Sequence, residues 1–505
     1  MTNRTMIQFF HWYSPGNGIL WKDFAKQISY LNRLGFTDVW LPPPYKGGSG
    51  GDSVGYDVYD LFDLGEFKQK GTIATKYGRK KEFIKAIQRA HKKNMKVIAD
   101  TVFNHKAHGD ELEKIAVRKV NPQNRTEFIS EPMEIEAWTK FYFPGRNGTY
   151  SQFIWDFHCF SGLDWAEDLK ESCIFKVLNE YGEDWEPLAE EEYGNYDYLS
   201  FTDIEFRNPH VREELKYWGK WLLETADVDG FRLDAVKHIS PGFINEWIDE
   251  MKGISPKELF FMGEYWNDQN AGSLNKYIDV SQGRMRLVDA PLHHNFYRLS
   301  QQGRDYDLAK VFDNTLISVH PELTISFVSN HDSQPLQLLE KPIAEWCNPL
   351  AYAIILLREQ GIPCVFYPDL YGANYTDKGK DGNEHHIILK KVNELPALLL
   401  IRKLIAYGKQ RDYLDHKTTI GWTREGIGEK RNSGCAVMLS AGDDGWKYME
   451  LGKKHARQVF VDCLGKIEGE VTLDKNGGAE FHCKGGSVSV WVNKKAAENN
   501  IFKSQ

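Results

Sequence analysis

No stretch of this 505-residue sequence approaches the about 18 consecutive uncharged apolar residues of a membrane-spanning helix. An apolar leader with a small-residue cleavage site is also missing. Met1-Thr2-Asn3-Arg4-Thr5 runs directly into Met6-Ile7-Gln8-Phe9-Phe10, which reads as a strand. These absences predict no membrane partner and a cytoplasmic location, with a secreted mature chain given a new initiator Met as the alternative. Basic charge is scarce: Lys+Arg number 63 against 71 Asp+Glu, a net charge of −8. An acidic chain is poorly suited to neutralising phosphates, which excludes nucleic acid as the main partner. Cysteine is sparse and unpaired in pattern. The seven residues Cys159, Cys173, Cys347, Cys364, Cys435, Cys463 and Cys483 include no CxxC pair. An odd, scattered set leaves at least one free thiol and reads as reducing, cytoplasmic use. There is no long-period repeat and no low-complexity tract.

What is present is core-forming material. The chain is 41% hydrophobic, 13% aromatic and 27% charged, which excludes disorder as the dominant state. Its length exceeds one ordinary domain. The 15 Trp, 24 Tyr and 28 Phe supply flat apolar faces of the kind that suit the C–H faces of sugars, although most should be core.

The first part alternates strands and helices. Phe24, Ile28, Leu31 and Leu34 are spaced as a helical stripe, followed by a buried strand at Val39–Pro42. Phe83, Ile84, Ile87 and Ala90 mark a second helix before a strand at Val97–Thr101. The rhythm breaks between about His105 and Arg207, a span too long for a structureless loop and therefore expected to be a small domain. It resumes at Asn208-Pro209, an N-cap with Pro at the first helical position, followed by the stripe Val211, Leu215, Trp218 and Leu222. Further strands are expected at Gly230–Val236, Phe260–Trp266, Arg286–Leu292, Thr324–Asp332 and Ile362–Tyr367. With Met6–Phe10 that makes eight, and the pattern predicts an α/β fold, a closed (β/α)8 TIM barrel. Short strands between Gly-rich turns after about Arg402 predict a C-terminal all-β sandwich, and Lys494–Gln505 reads as a frayed tail. The expected units are 1–104 and 207–402 for the barrel, 105–206 for the inserted β-rich side domain, and 403–505 for the sandwich.

Active sites of such barrels lie at the C-terminal ends of the strands. Those ends read Asp100-Thr101-Val102-Phe103-Asn104-His105, Gly230-Phe231-Arg232-Leu233-Asp234-Ala235-Val236-Lys237-His238, Gly263-Glu264-Tyr265-Trp266 and Ser329-Asn330-His331-Asp332. Arg232 and Asp234 share a face because strand side chains alternate, so Arg232 is expected to hold Asp234 ionised. Asp234, Glu264 and Asp332 then converge from three strands. Their mutual repulsion should raise at least one pKa, and a raised acid beside an ionised nucleophile is the requirement for glycosidic cleavage with retention.

These four segments resemble the four signature regions of the α-amylase family of glycoside hydrolases (family 13). The resemblance covers nearly the whole chain. It extends to Phe10-His11-Trp12-Tyr13, Leu41-Pro42-Pro43, Val54-Gly55-Tyr56-Asp57, Gly194-Asn195-Tyr196-Asp197-Tyr198-Leu199, Gly421-Trp422-Thr423-Arg424 and Gly485-Gly486-Ser487-Val488. Such features are similar to bacterial liquefying-type enzymes, and especially to their cytoplasmic members. The resemblance implies an endo-acting hydrolase of α-1,4-glucans such as starch, glycogen and maltodextrins, working as a monomer. It implies Asp234 as nucleophile, Glu264 as general acid and base, and Asp332 as stabiliser of the distorted ring. The implied substrate-binding set is Tyr56, Asp100, His105, Arg232, Lys237, His238, Trp266 and His331. A transglycosylase on the same covalent intermediate and a non-catalytic glucan-binding protein remain the alternatives.

The resemblance also implies one structural Ca2+ held by Asn104, Asp197, Asp203 and the His238 carbonyl, an all-oxygen set that suits calcium better than zinc. Secreted liquefying enzymes carry a calcium–sodium–calcium cluster. One of its carboxylates falls in a segment resembling Phe160–Trp165, where this sequence has Ser161. Asp184 and Glu205 are the positions implied for further ligands. One Ca2+ without the full triad is therefore expected.

Overall fold

Helices that each bury one stripe pack around eight parallel strands, and the strands close into a barrel. The structure is a computed structural model, and it describes residues 3–498. The barrel strands are β1 (Met6–Gln8), β2 (Asp38–Leu41), β3 (Lys96–Thr101), β4 (Gly230–Leu233), β5 (Phe260–Gly263), β6 (Arg286–Val288), β7 (Thr324–Phe327) and β8 (Ile362–Phe366). Each pairs with its sequence neighbour, and β8 returns to β1. Nearly every strand residue is buried, because the inward face fills the barrel and the outward face meets helices. The helix Leu20–Leu34 shows why the alternation was readable. It buries Phe24, Ile28, Leu31 and Leu34, and Gly35 ends it at φ 105°, a left-handed value that suits glycine. The helix Pro209–Ala226 starts as expected, with the Asn208 side chain accepting from the His210 N–H.

Between β3 and β4 lies a seven-stranded antiparallel sheet whose long members are Glu111–Asn121, Met133–Lys140, Phe160–Ala166 and Glu171–Val177. Its own core includes Ile115, Val117, Ile135, Leu163 and Phe175. After β8 the hairpin Ala373–Lys378 and Glu384–Leu389 precedes the helix Leu395–Leu404, which runs past the expected boundary at 402. Six strands then form one sheet, against which Gly445–Glu450 and Gly478–Cys483 pack through Met438, Met449, Phe460, Phe481 and Trp491.

Most barrel strands stop sooner than the apolar pattern implied, and the shortfall is largest in β4 to β7. β4 ends at Leu233 and gives way to a 3-10 turn at Val236–His238. β5 ends at Gly263, and β6 ends at Val288 before Asp289 caps the helix Ala290–Gln302. β7 ends at Phe327. Past β4, β5 and β6 the ladder carries on for a single residue, and the chain then turns into loops. The expected frayed tail is corrected in part: Lys494–Glu498 is helical and buries Ala496, while 499–505 lie outside the described residues.

Candidate active site

The strand register brings the acids together. In the parallel pair β4–β5, Leu233 faces Gly263, so the next residues, Asp234 and Glu264, stand at one level. The ladder continues one step past the strand ends: Asp234 N–H donates to Thr101 O at 2.9 Å and Glu264 N–H to Leu233 O at 2.9 Å. Then the chain turns away. Ala235 takes φ 49°, a left-handed conformation that costs an alanine about 1 kcal/mol. That turn aims the Ala235 N–H at Glu264 Oε2, 2.8 Å away.

Arg232 ties the acids into one network. Its Nη1 donates to Asp234 Oδ1 at 2.5 Å and to Asp100 Oδ1 at 3.0 Å, and its Nη2 lies 3.9 Å from Glu264 Oε2. Asp100 faces Arg232 directly in the β3–β4 register and also accepts from Tyr56 Oη at 2.7 Å and Trp40 Nε1 at 3.0 Å. Asp332 follows a turn built on Asn330, whose Oδ1 accepts from the Asp332 and Ser333 N–H groups at 3.2 and 2.8 Å. His331 Nε2 stands 3.4 Å from Asp332 Oδ2, while its Nδ1 meets Gln8 Nε2 at 3.0 Å.

Burial and mutual charge set the protonation. Glu264 is raised to about 8, chiefly by burial, with Arg232 opposing and Asp234 and Asp332 adding to the rise. Asp332 is raised to about 7, again by burial first. Asp234 is also raised, by burial, while the charge and hydrogen bond of Arg232 oppose the rise. Arg232 contacts Asp234 far more closely than Glu264, which favours Asp234 as the ionised member of the pair. His105 and His331 are lowered by burial and His238 falls to about 3, so all three are neutral imidazoles near neutral pH.

Tyr56, His105, Asp234, Lys237, His238, Glu264, Trp266 and Asp332 line one cleft of about 910 Å3. Asp100, Arg232 and His331 form the layer below it, each at most 1% exposed. Asp100, Arg232 and His331, expected as substrate-binding residues, therefore reach the cleft through Tyr56, Asp234 and Asp332. Sequence reasoning singled out no role for Trp12, which stacks on Tyr56 at 5.8 Å with a 5° interplanar angle and lines the same cleft. Glu192, which accepts from Lys237 on the cleft wall, gave no sequence signal either.

The expected calcium ligands also converge. Asn104 Nδ2 lies 3.0 Å from Asp203 Oδ1 and 3.2 Å from the His238 carbonyl. Asp197 and Asp203 are both buried, and burial first of all raises both carboxyls well above the ordinary range, with Asp203 adding to the rise at Asp197 and Glu186 and Glu205 adding to it at Asp203. The amide Nδ2 thus occupies a point of negative potential between oxygens, where a hard cation fits. Among the described residues no group of three or more His, Cys, Asp and Glu side chains forms a metal cluster, since this set depends on an amide and a main-chain carbonyl. One further expectation changes. Asp184 is exposed and lies outside the cluster. Glu186, two residues on, is buried there instead, accepting from the Phe206 N–H at 2.5 Å.

A closed barrel with three carboxylates at its strand ends defines the class of barrel enzymes that act through paired acids. The family model described as "Alpha amylase, catalytic domain" matches residues 17–397, and the chain belongs to that family. It is 49% identical over 493 residues to the cytoplasmic alpha-amylase of Escherichia coli (strain K12), covering 97% of this chain and 99% of that one. It is 46% identical to an alpha-amylase of Geobacillus stearothermophilus, covering 99% of this chain and 88% of the relative. Among solved structures, the alpha-amylase of Geobacillus thermoleovorans complexed with acarbose matches the fold. Its TM-score is 0.62 at 17% identity, covering 97% of this chain and 98% of that chain.

Proposed function

We propose that the chain hydrolyses internal α-1,4 bonds of starch, glycogen and maltodextrins with retention, through a covalent intermediate on Asp234. One observation carries this reading: Asp234 and Glu264 stand at the same level of adjacent strands. Neighbouring strands run about 4.7–4.9 Å apart, close to the about 5–5.5 Å between carboxyls that retention uses. Glu264 protonates the departing glycosidic oxygen as Asp234 attacks the anomeric carbon. The resulting Glu264 carboxylate then takes a proton from the water that releases the glycosyl group, and both residues return to their starting states. Asp332 holds sugar hydroxyls as the ring flattens, and Tyr56 backed by Trp12 stacks under that ring. His105 and His238, both neutral, exchange hydrogen bonds with hydroxyls, His331 acts through Asp332 from the layer below, and Lys237 and Trp266 flank the leaving group. The cleft is built from one chain and needs no second copy.

The proposed units keep the boundaries 1–104 with 207–402, 105–206, and 403–505. A cytoplasmic site of action is supported by the E. coli relative's name and by seven free thiols. No described helix is long and apolar enough to cross a membrane.

The test is a time course on a maltoheptaoside blocked at its non-reducing end. Internal cleavage releases blocked short products from the start, with new reducing ends matching the bonds cut. Longer oligomers without matching reducing ends indicate transglycosylation instead.

The acid's raised pKa predicts the alkaline limb of kcat. Glu264 must enter the reaction protonated. Its proton is lost as pH rises through about 8, so kcat should fall about tenfold per pH unit beyond that point. A limb below pH 6 on the alkaline side contradicts the assignment.

Calcium belongs to the same reading. Asn104, Asp197, Asp203 and the His238 carbonyl would hold one Ca2+, which supplies charge neutralisation and ties the inserted sheet to the β4 end of the barrel. A ligand bound only by the folded state stabilises it by mass action, so chelation should lower the melting temperature and added Ca2+ restore it. Unchanged melting in EDTA contradicts this.

A further inference from the structure

A fully buried ammonium lies beside the proposed calcium site. Lys176, on the strand Glu171–Val177, is 0% exposed. Its Nζ donates to the Ser161 carbonyl at 2.9 Å and reaches the Val177 carbonyl at 3.4 Å, under the Trp185 ring at 5.0 Å. Among the described residues no carboxylate oxygen comes within 4.0 Å of it, so it is not half of a simple ion pair. Burial lowers its pKa and Arg207 adds to the fall, while Glu205, Asp197 and Asp203 oppose it and favour the charged ammonium. Ser161, whose carbonyl holds Lys176, also donates its hydroxyl to Asp203 Oδ2.

We infer that Lys176 is a resident cation of this cluster, placed where a second metal ion would otherwise be needed, so that the cluster closes with a single Ca2+. The inference rests on the calcium reading above, and charge balance is its reason. Asp197, Asp203, Glu186 and Glu205 are all buried, at most 2% exposed. Arg207 meets Glu205 with two bonds, at 2.6 and 2.7 Å. Four carboxylates are matched by one guanidinium, one ammonium and one divalent ion. A second divalent ion would leave an excess of positive charge at low dielectric, which is costly. Without Lys176 one negative charge is left uncompensated, which further metal binding can offset. A tethered ammonium does the same work without depending on free metal, so part of the cluster stays neutralised under chelation.

The test uses the full chain, with Lys176→Met to remove the charge at similar volume and Lys176→Arg to keep it. Metal is counted after dialysis against trace Ca2+, and melting is measured in EDTA and in millimolar Ca2+. Wild type should hold one Ca2+. In EDTA, Lys176→Met should melt about 5 °C or more below wild type, while Lys176→Arg stays closer to it. Millimolar Ca2+ should narrow the gap, and Lys176→Met should take up more than one ion. Wild-type melting of Lys176→Met in EDTA with one bound ion overturns the inference, as do two tightly held ions in wild type. If Lys176→Met is recovered folded only when Ca2+ is present, the inference is supported. If it is never recovered folded, the wild-type count decides: one ion supports, two overturn. If wild type binds no Ca2+, the calcium reading fails, and the Lys176→Met deficit in EDTA alone decides the role of Lys176. Starch hydrolysis enters none of these readouts.

Discussion

Glu264→Gln should fold normally, bind maltooligosaccharides as tightly as wild type, and lose about 10²–10⁴-fold in kcat, the range of positioned general acid catalysis. The amide keeps the shape of the side chain, and its oxygen can still accept from the Ala235 N–H, now at 2.8 Å. What it cannot do is donate a proton to the leaving oxygen. The change also removes a buried acid whose ionised form is disfavoured by burial, Asp234 and Asp332, so no loss of melting temperature is expected. Calorimetric binding of maltoheptaose together with kcat on soluble starch separates the two effects. The alkaline limb near pH 8 should vanish with the acid. A rate within about tenfold of wild type would remove Glu264 from the role.

Asp234→Asn should lose more, about 10⁴-fold or beyond, because removal of a nucleophile abolishes the covalent route rather than slowing one step of it. An activated fluoro-sugar that traps the wild-type intermediate should add its glycosyl mass to the peptide carrying Asp234 and add nothing to the variant. Unlike Glu264→Gln, this substitution should also lower stability. Arg232 is 1% exposed and bonds to both Asp234 and Asp100, so the amide leaves it with one anionic partner at contact distance. Label found on another carboxylate, or full turnover by the variant, would reassign the nucleophile.

Most of the barrel was legible because its signals are local. A buried stripe such as Phe24, Ile28, Leu31 and Leu34 needs only the helical period, and Asn208-Pro209 needs only cap chemistry. Strand ends were less legible. Val328–Asp332 is as apolar at its start as a strand interior, yet Asn330 bends the chain there by accepting from two N–H groups. The inserted sheet was harder still. Glu111–Asn121 buries only Ile115, Val117 and Val120 fully, because a sheet half exposed to solvent carries a weak and interrupted alternation.

The same division runs through the site. Local order in the chain determined that Arg232 and Asp234 share a face, that His105 follows Asn104, and that Glu264 lies toward the C-terminal end of a strand, because period and spacing are properties of a segment. Only the folded molecule decided which acids are neighbours, since Leu233 facing Gly263 is a matter of register between strands about thirty residues apart. It also decided that burial outweighs Arg232 at Asp234, a balance of desolvation against one charge that no spacing reveals. The exchange of Asp184 for Glu186 and the placing of Lys176 among carboxylates belong to this second kind. Both depend on which side chains of a loop turn inward, and that is settled by packing around Trp185 and by whether each charge finds a partner once water is excluded.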